Sequence, residues 1–123
     1  MFDDIVKRLA LLGYLVLDAD KWLVEHLIST VSTTIKNECN IDEIPPGLRY
    51  VAIDMVVGEF LRIKKASGGL EGFDVEHAVS AIKQGDTSLS FALGNDVITL
   101  DSLITVLIEG HRSQLARFRR ILW

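Results

Sequence analysis

Apolar residues recur three and four positions apart along most of the chain, and that spacing predicts four helices. Ile5, Leu9 and Leu12 form one stripe between Asp3 and Leu12, with Asp3 and Asp4 at the positive helix end and Gly13 closing it. Val24, Leu27, Ile28, Val31 and Ile35 form a second, capped by Asp18 or Asp20 and running to about Asn37. A last stripe of Leu100, Leu103, Ile104, Leu107, Ile108 and His111 follows a cap at Thr99 or Asp101 and ends near Gly110. The remaining helix, Pro46 to Lys65, is apolar around most of its circumference, so it belongs in the core. Pro45-Pro46 suits its first turn, Lys64 and Lys65 its negative end, and Ser67-Gly68-Gly69 its stop. Gly58, in its middle, marks the close approach of another backbone.

Two stretches break the helical pattern. Ser67 to Phe73 (SGGLEGF) has no periodicity and reads as a flexible loop, in which Leu70 and Phe73 must tuck onto the body or meet a partner. Between Ala78 and Leu93, Val79, Ala81 and Ile82 precede the turn pair Gly85-Asp86, after which Leu89, Phe91 and Leu93 alternate with small residues. Period two around a glycine turn reads as a β-hairpin. An isolated ribbon is marginal in water, so it must lie on the helices or pair with another chain. The expected fold is mainly α: a small four-helix bundle with one projecting loop and β-hairpin, a single domain over 1–123.

Composition adds limits. The chain has 123 residues, 49% hydrophobic and 24% charged, enough for one core. No apolar run approaches a membrane span, and the acidic start is unlike a signal peptide, so a cytoplasmic product is expected. A single cysteine, Cys39, excludes an internal disulfide and any cysteine cluster within one chain. The net charge of -4 hides an asymmetry: Met1 to Phe60 carries ten acids and five Lys or Arg, whereas Leu103 to Trp123 carries one acid and four arginines.

Catalytic chemistry is not foreshadowed. His26, His77 and His111 sit on separate elements without a zinc-helix spacing or triad set, and read as surface or boundary residues. Asp18 and Asp20 lack the further oxygen ligands of a calcium loop, and Gly68, Gly69 and Gly72 lack the flanks of a phosphate loop. No enzyme, metal or cofactor is expected. Two basic clusters remain, Arg62, Lys64 and Lys65 beside the glycine loop and Arg112, Arg117, Arg119 and Arg120 in the tail. Such groups contact phosphates non-specifically, but the acidic body argues against tight sequence-specific DNA binding.

The tail gives the sharper signal. Phe118, Ile121, Leu122 and Trp123 fall within six residues, and burying one Trp is worth roughly 5 kcal/mol gross. Ordering each backbone residue costs about 1 to 2 kcal/mol, so docking wins, on the chain's own body or on a partner.

Taken in order, KNECNIDEIPPGL, DMVVGEFL with KKASGGLEGF, AVSAIKQGDTSLSF and RFRRILW resemble the small head-tail connector, or head completion, proteins of tailed phages and prophages. The resemblance covers most of the chain, with IKQGDTSLSF and the basic aromatic tail the most specific pieces. It implies a helical bundle with a projecting loop or hairpin that forms a homo-oligomeric ring under the portal protein. The ring would extend the channel for double-stranded DNA and carry the next head-completion, stopper or tail protein. The chain would be made in the bacterial host cytoplasm and end at the virion head-tail joint, with no membrane partner.

By position, 67–93 would be the inter-subunit and channel-side segment, with Leu70, Phe73, Ile82, Gly85, Asp86, Leu89 and Phe91. Residues 112–123 would form the arm, with Leu115, Phe118, Arg119, Arg120, Ile121, Leu122 and Trp123 gripping the portal. Arg62, Lys64, Lys65 and Lys83 would face DNA. The alternative from the residues alone is a small helical nucleic-acid-binding regulator using the arginine-rich tail.

Overall fold

The computed structural model describes residues 1–85 and 99–118. Among these, six helices occur and no strand: α1 (Phe2–Leu11), α2 (Lys21–Cys39), α3 (Arg49–Ala66), α4 (Val75–Gly85), α5 (Leu100–Glu109) and α6 (Arg112–Phe118). Single 3₁₀ turns at Asp18–Asp20 and Pro46–Leu48 lead into α2 and α3.

Helix α3 is the centre. It buries Val51, Ala52, Asp54, Val56, Val57, Gly58, Phe60 and Leu61, and it packs against α1, α2 and α5. A Cβ on Gly58 would lie 2.7 Å from Ile108 Cγ1 and 3.2 Å from the Ile108 backbone nitrogen. The glycine is therefore the contact that lets α5 seat against α3, as its mid-helix position implied. Ile5, Leu9, Val24, Leu27, Val31, Ile35, Leu103 and Leu107 add to the core from the three surrounding helices.

Helix ends follow local chemistry. Gly13, at φ +101°, ends α1, with the Tyr14 N–H reaching back to the Leu9 carbonyl at 2.8 Å. Asn40, at φ 54°, ends α2 in the left-handed region that asparagine tolerates. Thr99 caps α5, its hydroxyl accepting the Ser102 N–H at 3.2 Å. Asp20 occupies the N-cap position of α2 without capping it. Its carboxylate instead takes the Tyr14 hydroxyl at 2.7 Å, the Leu17 N–H at 3.1 Å and Lys64 Nζ at 2.9 Å. The side chain thus pins the α1–α2 link to the end of α3.

The hairpin expectation is corrected. Val79, Ala81 and Ile82 lie in α4, whose apolar positions Val75, Ala78, Val79 and Ile82 follow helical spacing and bury Ala78 and Ile82 completely. Asp74 starts the helix, accepting the His77 N–H at 3.0 Å. Ile82 packs into the core where a projecting strand was expected, and Gly85 is the last residue of α4. Asp86, Leu89 and Phe91 lie outside the described residues.

Candidate assembly surfaces

The described part of the tail, Arg112–Phe118, is anchored on the chain's own body. Helix α6 packs on α2 and on the Pro46–Leu48 turn. Leu115 is buried in the core, and its carbonyl accepts the Cys39 thiol at 3.4 Å. The half-buried Phe118 ring covers Gly47, where a Cβ would come within 2.6 Å of Cζ. These two side chains face inward, so neither projects as part of a gripping arm. Arg119, Arg120, Ile121, Leu122 and Trp123 lie outside the described residues. Beside Phe118 a groove of about 540 Å³ is lined further by Ile41, Asp42, Glu43 and Pro45.

The glycine loop also folds inward. Leu70 is 9% exposed and belongs to the core cluster, and Phe73 is half-buried against it. Gly68 and Gly72 take φ +79° and +76°, and the Gly69 N–H bonds the Lys64 carbonyl at 2.7 Å. Backbone conformations open to glycine close the loop onto α3. Of the expected inter-subunit residues, Leu70, Phe73 and Ile82 are therefore engaged within the subunit.

The expected DNA-facing cations are partly committed. Lys64 pairs with buried Asp20. Arg62 pairs with Glu59 and Lys65 with Asp101, both cations remaining exposed. Lys83 is exposed on the last turn of α4.

Two features escaped the sequence reading. The first is a buried polar junction. Asp54, 3% exposed in the middle of α3, accepts Arg8 Nε at 3.1 Å on Oδ1. Its Oδ2 lies 2.9 Å from Nε2 of His111, which is itself 2% exposed and so corrects the surface or boundary expectation. The Tyr50 ring meets the imidazole edge-on at a centroid distance of 4.9 Å. An open groove of about 270 Å³ lies along this junction, between Arg8, Leu11, Tyr50, Ile53 and Asp54.

The second is a run of outward apolar side chains on the α1–α2 connection. Leu11 is 61% exposed, Leu15 75%, Leu17 62% and Trp22 72%. In the extended link Tyr14 and Val16 turn inward while Leu15 and Leu17 turn outward, which is the period of two. Trp22 stands off the buried stripe of α2 and stacks on His26, with ring centroids 5.3 Å apart and planes 6° from parallel. The alternation from Tyr14 to Leu17 and the off-stripe place of Trp22 are both visible in the sequence.

Among the described residues no group of three or more His, Cys, Asp or Glu is placed to hold a metal ion. No helix among them is long and apolar enough to cross a membrane. Comparison of the chain with family models, curated proteins and solved structures finds no match.

Proposed function

We propose that this chain is a structural subunit that acts without catalysis, joining copies of itself into a ring below a phage portal and linking head to tail. The observation that supports this most is the outward run of Leu11, Leu15, Leu17 and Trp22. Moving one such side chain from water into an interface is worth about 1.5 to 3 kcal/mol, and aromatic anchors dominate interface energies. A ring subunit has a neighbour on each side and partners above and below, so such residues acquire surfaces to bury them. Of the arm, Arg119 to Trp123 is the part left to reach the portal.

The test is assembly. Trp22→Ser combined with Leu17→Ser leaves the far-UV circular dichroism intact and abolishes higher-order species with the portal in native mass spectrometry. Unchanged assembly in this variant, or absence of the chain from purified DNA-filled particles, overturns the reading. Salt-dependent retention of the free chain on duplex DNA, lost with Arg119→Ala and Arg120→Ala, would replace it with the nucleic-acid-binding regulator.

A further inference from the structure

Two features of the subunit surface fit each other but cannot meet within one molecule. The first is the groove along Arg8, whose apolar lining comes from Leu11, Tyr50 and Ile53. Its charges are matched except for one. Asp4 pairs with Arg49 and Asp54 with Arg8, whereas exposed Lys7 makes no ion pair with another described residue. The second is Trp22, 72% exposed, with the acid Glu25 one turn further along α2. Glu25 is exposed and also makes no ion pair with a described residue. Contacts along α3 set the distance between the two features. Asp4 meets Arg49, Arg8 meets Asp54 and Asp20 meets Lys64, so the chain climbs beside α3 from the groove to the start of α2. Asp54 and Lys64 are about 15 Å apart along the helix axis, farther than a tryptophan side chain reaches.

We infer that this groove takes Trp22 of a second copy of the chain, an inference that rests on the part of the proposed function in which copies join. The groove holds about 270 Å³. A helix about 10 Å across fills roughly 420 Å³ per turn, so the groove suits a single side chain rather than a helix. Tryptophan gains most from such a seat, since it buries about 150 to 250 Å² and anchors interfaces. Lys7 and Arg8 add cations, which are drawn to an indole face. Docking Trp22 there also brings Glu25 toward Lys7, matching the two unpaired charges. Groove and tryptophan are different patches, and every copy carries both. The contact therefore runs head to tail, which is the arrangement that generates rings when the rotation closes.

The experiment uses the full chain with the photocrosslinker p-benzoylphenylalanine in place of Trp22, mixing isotope-labelled with unlabelled copies. After irradiation, cross-linked peptides are mapped by mass spectrometry. Links between unlike copies are expected, and they fall on Leu11, Tyr50 or Ile53. Lys7→Glu lowers their yield several-fold, and adding Glu25→Lys restores it. Both residues are exposed, and unchanged circular dichroism shows that the fold is kept. Links to another surface, links confined to one copy, or no links at millimolar protein overturn the inference, as does a yield indifferent to Lys7→Glu. Failure of the wider reading is seen separately. Absence of the chain from DNA-filled particles removes the portal ring and leaves a mapped Trp22 contact standing, whereas presence there with links elsewhere removes only this contact.

Discussion

Asp54 and His111 stand 57 residues apart in the chain and 2.9 Å apart in the structure, Oδ2 against Nε2, at a buried junction that also receives Arg8. One carboxylate thus ties together α1, α3 and the segment between α5 and α6. Removing Asp54 takes a buried carboxylate partner from both Arg8 and His111, and breaking a buried ion pair typically costs about 3 to 5 kcal/mol. Arg8 is partly exposed and turns to water, so Asp54→Ala is expected at the lower end, about 3 kcal/mol, by urea denaturation. Arg8→Met costs less, because the Asp54–His111 contact survives it. A loss under about 1 kcal/mol for Asp54→Ala would reduce the junction to a minor contact.

Gly58→Ala tests packing against propensity. Alanine gains about 1 kcal/mol over glycine inside a helix. Here the added methyl would sit 2.7 Å from Ile108 Cγ1 and 3.0 Å from Leu107 Cβ, and overpacking costs about 1 to 3 kcal/mol. The side-chain clash can relax, but the Ile108 backbone nitrogen at 3.2 Å cannot move without shifting α5. The variant is expected to lose stability, and Ile108→Ala in the same chain recovers part of the loss. Stabilisation by Gly58→Ala alone would show that α5 slides freely on α3.

The Asp20–Lys64 pair predicts where pH acts. Burial raises the Asp20 pKa, but the bonds from Lys64, Tyr14 and the Leu17 N–H outweigh it and leave the carboxyl below its ordinary 3.8. The bond to Asp20 lifts Lys64 above its ordinary 10.5 against a smaller effect of burial. For Asp20 the native state holds the proton less tightly than the unfolded chain, so the stabilisation is full above 3.8 and is lost as pH falls below it. For Lys64 the stabilisation is full below 10.5 and is lost as pH rises through the lifted value. Tm against pH should therefore slope at both extremes, and Asp20→Asn should flatten both. An unchanged acid limb in that variant would move the acid sensitivity to other carboxylates.

The glycine loop separates backbone strain from side-chain crowding. Gly68 stands at φ +79° with open space where a Cβ would go, so Gly68→Ala is expected to cost about 1 to 2 kcal/mol through backbone strain alone. A Cβ on Gly69 meets Lys64 Cε at 2.9 Å, the far end of a side chain held by Asp20. Gly69→Ala should cost less than Gly68→Ala in urea, with its effect concentrated in the alkaline limb of the pH profile. Equal losses at both positions would indicate that the loop is anchored by something other than its backbone geometry.

The four expected helices were legible because each carries a long stripe of large apolar residues with a chemical stop, and α3 stood out because it has almost no polar face. Helix α4 was not legible. Its stripe is built from Val75, Ala78, Val79 and Ile82, small or β-branched residues that fit either period, and the Gly85-Asp86 pair suggested a turn. The Asp74 cap three residues before His77 is the local signal for this helix. Phe118 was legible as a residue that must dock, but composition does not say onto what. The Asp54–His111 junction joins residues far apart in sequence, and no local pattern announces it. The resemblance put Lys64 toward DNA by position, and its partner Asp20, 44 residues earlier, carried only the reading of a helix cap, so nothing local joined the two.

The thiol of Cys39, buried with its Sγ against the Leu115 carbonyl, gives the molecule a built-in clock. A maleimide cannot reach that sulfur while α6 lies on α2, so each labelling event records one lifting of the last helix. Under slow labelling the rate reports the fraction of time spent open, and under saturating reagent it reports how often opening occurs. Whatever the chain binds, a partner that pulls α6 away will speed this clock, and one that presses it down will slow it.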